Sequence, residues 1–233
     1  MSVEQDQRYA QKRFTAPRGA TEILLVRHGA SRAATPGAPF PLIDGQGDPE
    51  LAPEGVEQAQ KVAERLAGQP ISAIYVTNMR RTAQTAQPLA ARLGLEPRVE
   101  PDLREVHLGE WEGGVYRIRA HARDPIYLRK EEEQRWDVIP GAESNEQLNV
   151  RCVAAIERIH RAHPSQLVVS VCHGGVVACL LAHASGSRPF AFAGADNCSI
   201  SHLVVHDSNI VVRCFNDTSH LYPSFSVTAE LPT

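Results

Sequence analysis

The chain has 233 residues, 42% of them hydrophobic and 22% charged, with a formal charge of -3 at pH 7. This length supports one domain with a sizeable core that needs neither metal nor disulfides to fold. The weak acidic excess argues against a nucleic-acid partner, and no apolar run approaches the roughly 18 residues that cross a bilayer.

Residues 1–20 are polar, with Glu4, Asp6, Arg8, Lys12 and Arg13 and no apolar core, and predict an extension ahead of the domain rather than a secretory signal. Residues 23–26, Ile-Leu-Leu-Val, form the short branched run of a strand buried on both faces of a parallel sheet, and stop at Arg27-His28-Gly29. The Pro- and Gly-rich stretch 30–53 predicts a long loop, of a length usually tied to function. Residues 54–66 predict a helix with Val56, Ala59, Ala63 and Leu66 on one stripe, Pro53 at its first position and Gly68 at its end. A second strand is expected over 71–76. A second helix carries Ala83, Ala86, Ala90 and Leu93, stops at Gly94 and has Pro88 as a potential kink.

Residues 114–140 are crowded with charge, including Arg117, Arg119, Arg123, Lys130 and Glu131, and predict a helical excursion. Ser144-x-x-Gln147 is a capping box that opens a helix with Leu148, Cys152, Ile156 and Ile159 on one face. The run 167–172 is a third buried strand that ends in His173-Gly174-Gly175 and a short apolar helix. Residues 199–205 and 210–215, joined around Asp207-Ser208-Asn209, predict a closing hairpin. Strand and helix alternate, so the fold class is α/β. The five cysteines are an odd number without a Cys-x-x-Cys pair, which reads as reduced thiols and a cytoplasmic setting.

Two buried strands end in a His followed by Gly, at His28 and His173, and ligands of open α/β sheets bind at the carboxyl ends of strands. Arg27 stands beside the first His, and Arg80 and Arg81 follow the second strand. Guanidinium groups read planar oxyanions in bidentate fashion, so the constellation describes a phosphate pocket. A cysteine-based phosphatase would carry an Arg six residues after a strand-end Cys. Cys152 and Arg158 have that spacing, but within a predicted helix. A zinc site is also disfavoured. His202 and His206 on a strand stand roughly 13 Å apart, and His160 with His163 lacks a third ligand.

Leu25-Val26-Arg27-His28-Gly29 resembles the Arg-His-Gly signature of the histidine phosphatase superfamily, whose members include cofactor-dependent phosphoglycerate mutases. Residues 77–86 resemble its Ser-x-x-x-Arg-Ala-x-x-Thr-Ala segment, and Leu103-Arg104-Glu105 with residues 109–113 its acid segment. Residues 140–144 resemble its Gly-Glu-Ser turn, and Cys172-His173-Gly174-Gly175 its Ser-His-Gly-Gly. The resemblance implies a three-layer α/β/α sandwich around a mostly parallel sheet, formed by residues 21–233, with 114–140 as a lid over the site. It implies a phosphatase of a small phosphorylated substrate, working as a homodimer without metal or cofactor. His28 is then the nucleophile and Glu105 the proton donor. Arg27, Arg81 and an imidazolium at His173 would hold the phosphate, assisted by the Ser31 hydroxyl and the amides at Gly174. The alternatives are a mutase-type phosphotransferase and a low-activity phosphate-binding scaffold. Ala30 and Ala34 stand where mutases of the family carry Glu and Asn. Thr77, Thr82 and Cys172 are milder departures, and Ala52 lacks the usual hydroxyl cap of the first helix.

Overall fold

The computed structural model describes residues 10–222, so residues 1–9 of the expected extension and residues 223–233 lie outside it. Strand β1 (Thr21–Arg27) lies at the centre of a six-stranded sheet, with β6 (Leu167–Cys172) parallel on one side and β7 (Ile200–His206) antiparallel on the other. Beyond β6 come β4 (Ile71–Val76) and the two-residue β5 (Arg98–Val99), both parallel to it. Beyond β7 lies β8 (Asn209–Asp217), the other arm of the expected hairpin, so the order is β5-β4-β6-β1-β7-β8. The loop after β1 contains one small element of its own, the pair β2 (Leu42–Ile43) and β3 (Gln46–Gly47).

The period of two in a strand sends alternate residues to opposite faces, and β1 uses both. Ile23 and Leu25 join one core with α5 (Asn145–Ala162) and α6 (Gly174–Ser185), whereas Leu24 and Val26 join a second with α1 (Pro53–Leu66) and α2 (Arg80–Leu93). Helices therefore cover both faces, and each fully buried Leu, Ile or Val contributes roughly 1.5–3 kcal/mol by leaving water. Two stripe residues differ from the expectation. Val56 is 49% exposed and Ala83 points to solvent, while Val62 and Leu89 take the buried positions. Helix α1 ends at Leu66 as expected, with Ala67 rather than Gly68 as its cap, and α2 stops at Gly94 in the left-handed conformation. Helix α2 runs through Pro88, which leaves the Gln84 carbonyl without its helical partner. The capping box at Ser144 and Gln147 is formed on both sides.

The stretch 114–140 folds into α3 (Val115–His121), α4 (Pro125–Glu133) and a short 3-10 turn, Trp136–Val138. Its charges divide sharply. Arg119, Arg123, Arg129 and Glu133 face solvent, but Lys130 is 1% exposed inside a cage of Trp136, Tyr127, Phe190 and Tyr116, its ammonium 4.6–5.3 Å from their ring centres. The ammonium donates to the Tyr116 hydroxyl and to Glu131. Cation–π attraction in this desolvated cage ties α4 to Tyr116, Trp136 and Phe190.

Candidate active site

Parallel pairing of β1 with β6 puts Arg27 level with Cys172, so the next residues, His28 and His173, leave the sheet side by side. Their rings lie 5.1 Å apart at 60°. His28 is 4% exposed, and its Nδ1 stands 2.8 Å from the Gly29 carbonyl oxygen. A carbonyl only accepts, so Nδ1 carries the proton and Nε2 keeps its lone pair. His173 is fully buried and has the opposite tautomer. Its Nδ1 accepts from Arg81 at 3.2 Å, and its Nε2–H donates to the Thr77 hydroxyl at 3.1 Å. With Nδ1 accepting, the ring is neutral, which corrects the imidazolium expected at His173.

The electrostatics agree with this proton inventory. Burial first, then Arg81 and Arg27, hold His28 well below the ordinary histidine range, and burial, Arg81 and His28 do the same at His173. Both histidines accept protons more readily in the unfolded chain, so below about pH 6.5 the unfolded state gains protons that the folded state refuses. We expect the urea midpoint to fall between pH 7.5 and pH 5.5, and His173→Gln to flatten that fall. An unchanged slope in the variant would assign the acid lability elsewhere.

Two buried guanidinium groups complete the floor. Arg81, in the first turn of α2, donates to the Gly47 carbonyl at 3.0 Å and stands 4.0 Å from Asp48, and burial lowers its pKa to about 10. Arg27 donates to the Ala195 carbonyl and is likewise lowered by burial. The Nε–H groups of both arginines are buried without a hydrogen-bond partner among the described residues. Buried donors are normally satisfied, and an oxyanion between these two side chains would satisfy both. Arg80 faces outward and pairs with Asp48 at 3.2 Å, as expected of a solvated neighbour.

Glu105 approaches from the turn after β5. Its carboxylate accepts from the amides of Val106 at 3.0 Å and Gly175 at 3.1 Å, and its carbonyl accepts from Gln46 and Arg151. Arg151 is fixed in turn by Glu143 at 2.7 Å. The first turn of α6 thus spends its Gly175 amide on Glu105, while the Arg27 side chain lies against Gly174, where an added Cβ would meet Nε at 3.4 Å, an ordinary contact. Glu112 accepts from the amides of Gly47 and Leu108 and supports the wall.

Arg27, His28, Arg81 and Glu105 line one cavity of about 150 Å³, walled by Trp111, Tyr116, Trp136 and Phe40. Ser31 lies outside it, in an adjoining cleft, where its hydroxyl accepts from Arg117 at 2.8 Å. Two supporting residues escaped the sequence reading. Thr85 accepts from the Gly29 amide at 3.0 Å, and Arg151 clamps the Glu105 backbone. Asn197, read from its place before the closing hairpin as a residue that orients a loop outside the site, donates to the His28 carbonyl at 2.8 Å. Thr85 was within reach because it lies in the matched segment 77–86, whereas Arg151 carries no local signal.

The sequence profile of the Histidine phosphatase superfamily (branch 1) matches residues 23–218. Phosphoglycerate mutase-like protein 4 of Arabidopsis thaliana is 38% identical over 207 residues, covering 86% of both chains. The metal-independent phosphoserine phosphatase of the same plant is 31% identical over 208 residues, covering 86% of this chain and 83% of that one. Among solved structures, a mycobacterial glucosyl-3-phosphoglycerate phosphatase superposes with a TM-score of 0.70 at 28% identity, covering 85% of this chain and 100% of that one. Paired strand-end histidines between two buried arginines thus accompany a match along most of the sequence, and the chain belongs to the histidine phosphatase superfamily.

Proposed function

We propose that this protein is a metal-independent phosphatase that hydrolyses a small phosphomonoester through a phosphohistidine on His28. The observation that carries the reading is the neutral His28, with its Nε2 lone pair free, in a cavity with two buried guanidinium groups. The Nε2 lone pair attacks phosphorus and the bond to the leaving oxygen breaks, while Glu105 gives that oxygen a proton. The Glu105 carboxylate then takes a proton from water, which attacks the phosphohistidine and frees the imidazole. Arg27 and Arg81 neutralise the non-bridging oxygens, where phosphoryl transfer needs most of its help. His173 orients Arg81. The cavity holds about five waters' worth of space, which suits a phosphate and a short tail. Residues 114–140 serve as the lid that selects the tail.

The test is hydrolysis of aryl and alkyl phosphates and 3-phosphoglycerate at pH 5 to 8, with and without EDTA. Turnover unaffected by chelation, with an acid-labile phosphoenzyme, is expected. Glu105→Gln should cost roughly 10²–10⁴-fold on alkyl esters and less on aryl esters, whose leaving groups need no proton. Activity lost to EDTA and restored by zinc would overturn the metal-independent reading.

The relative named as phosphoglycerate mutase-like supports a second reading, phosphotransfer between substrates. Ala30 and Ala34, in place of the mutase Glu and Asn, weigh against it. Mutase activity on 3-phosphoglycerate that depends on 2,3-bisphosphoglycerate would establish it. The five free cysteines support a reducing, cytoplasmic setting. The outer edge of β8 is the surface we assign to a homodimer, since an edge strand offers unpaired backbone groups. A monomer in light scattering would remove that assignment.

A further inference from the structure

Helices α5 and α6 pack together on one face of the sheet, and with the segment 186–190 they line a cavity of about 490 Å³ outside the catalytic one. Cys179, in the second turn of α6, lines this cavity and is half-buried. Its Sγ lies 3.8 Å from the side-chain oxygen of Asn149, one turn of α5 ahead of Cys152. Cys152 is fully buried in the same core layer. Its thiol donates to the Cys179 sulfur, with the Asp102 carbonyl at 3.7 Å as a second acceptor.

The contact makes the two thiols unequal. The hydrogen bond from Cys152 favours negative charge on Cys179, with help from Arg151, and holds its pKa below the ordinary thiol range. The same bond, and then burial, hold Cys152 well above that range. Burial pushes Cys172 and Cys198 up to about 12 and raises Cys214 as well. Oxidation of a cysteine follows its thiolate content and its access. Cys179 has both, and a second sulfur in contact.

We propose that Cys152 and Cys179 form an oxidation site, in which a small hydroperoxide reaching Cys179 through the cavity converts the pair to a disulfide. The Cys179 thiolate attacks one peroxide oxygen, the O–O bond breaks and hydroxide leaves, so sulfur is oxidised to the sulfenic acid and the peroxide is reduced. The Cys152 sulfur then attacks the Cys179 sulfur. The S–S bond forms as the S–O bond breaks, and the hydroxyl departs as water with the Cys152 proton. A thiol reductant reverses the change by exchange.

Both helices hold Glu105 close to this pair. Arg151 lies 3.8 Å from Cys152 Sγ and donates to the Glu105 carbonyl at 2.9 Å, while Gly175, about one turn before Cys179, donates to the Glu105 carboxylate. A disulfide takes the sulfurs from hydrogen-bond to covalent distance and draws α5 toward α6 where both grip the proton donor. Oxidation therefore lowers turnover of alkyl phosphates more than of aryl phosphates. This effect on turnover rests on the phosphatase reading, whereas formation of the bond does not.

The test treats the reduced full-length protein with excess hydrogen peroxide, blocks remaining thiols with iodoacetamide and measures mass and activity. A species with two fewer alkylated thiols is expected, and peptide mapping must find Cys152 joined to Cys179. Cys179→Ser should form no such bond. Oxidised wild type should lose roughly tenfold in kcat on alkyl phosphates and less on aryl phosphates, and dithiothreitol should restore it. Cys179→Ser should keep its activity through the same treatment. Absence of the Cys152–Cys179 link, or a link formed by other cysteines, overturns the site. A link that leaves the alkyl-to-aryl ratio unchanged overturns its connection to Glu105. If the reduced protein hydrolyses no phosphomonoester, the phosphatase reading fails, and peptide mapping still decides the oxidation site.

Discussion

Replacing His28 with alanine is expected to lower turnover of every phosphomonoester by on the order of 10⁴–10⁶-fold, the range seen when a covalent nucleophile is lost. No neighbour can take its place. The other strand-end imidazole, His173, already accepts from Arg81 with one nitrogen and donates to Thr77 with the other. The fold should survive, since the ring is neutral, and among the described residues its side chain makes one hydrogen bond, to the adjacent Gly29 carbonyl. Phosphate affinity should stay within about tenfold of the wild type, because Arg27 and Arg81 remain. The decisive measurement pairs steady-state turnover with acid-quench detection of the phosphoenzyme. Turnover within tenfold of the wild type, or an undiminished phosphoenzyme in His28→Ala, would move the nucleophile elsewhere.

Both strand-end histidines were legible because their signals are local. A branched apolar run of four to six residues marks a strand buried on both faces, and its end marks where ligands bind. That the two histidines face one another was legible from their matching strand ends, but the register of β1 with β6 that sets the rings 5.1 Å apart was not, because the strands are separated by about 140 residues of chain. Stripe positions were less secure at helix ends. Val56 has the right spacing but lies at the edge of the stripe in the first turn of α1, where Gly55 takes the buried position. Residues 114–140 were read as a charged excursion, yet two of their cations behave differently from the rest. Lys130 is enclosed by four rings drawn from α3, α4, the turn after α4 and the segment after α6, and Arg117 turns toward Arg27. Burial of a cation depends on rings or anions supplied from other parts of the chain, and periodicity carries none of that.

Gly55 makes the same point about glycine. Its backbone dihedral is not left-handed, so conformational freedom is not what the position needs. A Cβ at Gly55 would stand 2.0 Å from the carbonyl oxygen of Ala30 and 2.8 Å from its amide nitrogen. Gly29 meets the same contact from the other side, its own Cβ position lying 2.6 Å from the Gly55 carbonyl oxygen. The first turn of α1 therefore packs backbone against backbone on the two residues that follow His28. The Ala52 amide, which donates to the Ala30 carbonyl at 2.9 Å, fixes the spacing. Neither partner can yield as a flexible side chain would, so Gly55→Ala should push the 29–30 backbone outward and break the Gln58–Ala30 hydrogen bond of 2.8 Å. We expect a loss near the upper end of overpacking, about 3 kcal/mol, and a Tm lower by roughly 6–12 °C for a chain of this size. The Gly29 carbonyl that sets the His28 tautomer moves with that backbone, and kcat/KM should fall by about 10²-fold, the usual cost of a misplacement near 1 Å. Gly68→Ala provides the control, because nothing lies within 4 Å of its Cβ position and its φ is not positive. It makes the same chemical change and should be neutral or stabilise by about 0.4–1 kcal/mol through the unfolded state. Thermal melts and kcat/KM for the two variants decide the matter. If Gly55→Ala behaves like Gly68→Ala, the contact between α1 and the loop after His28 does not hold the nucleophile in position.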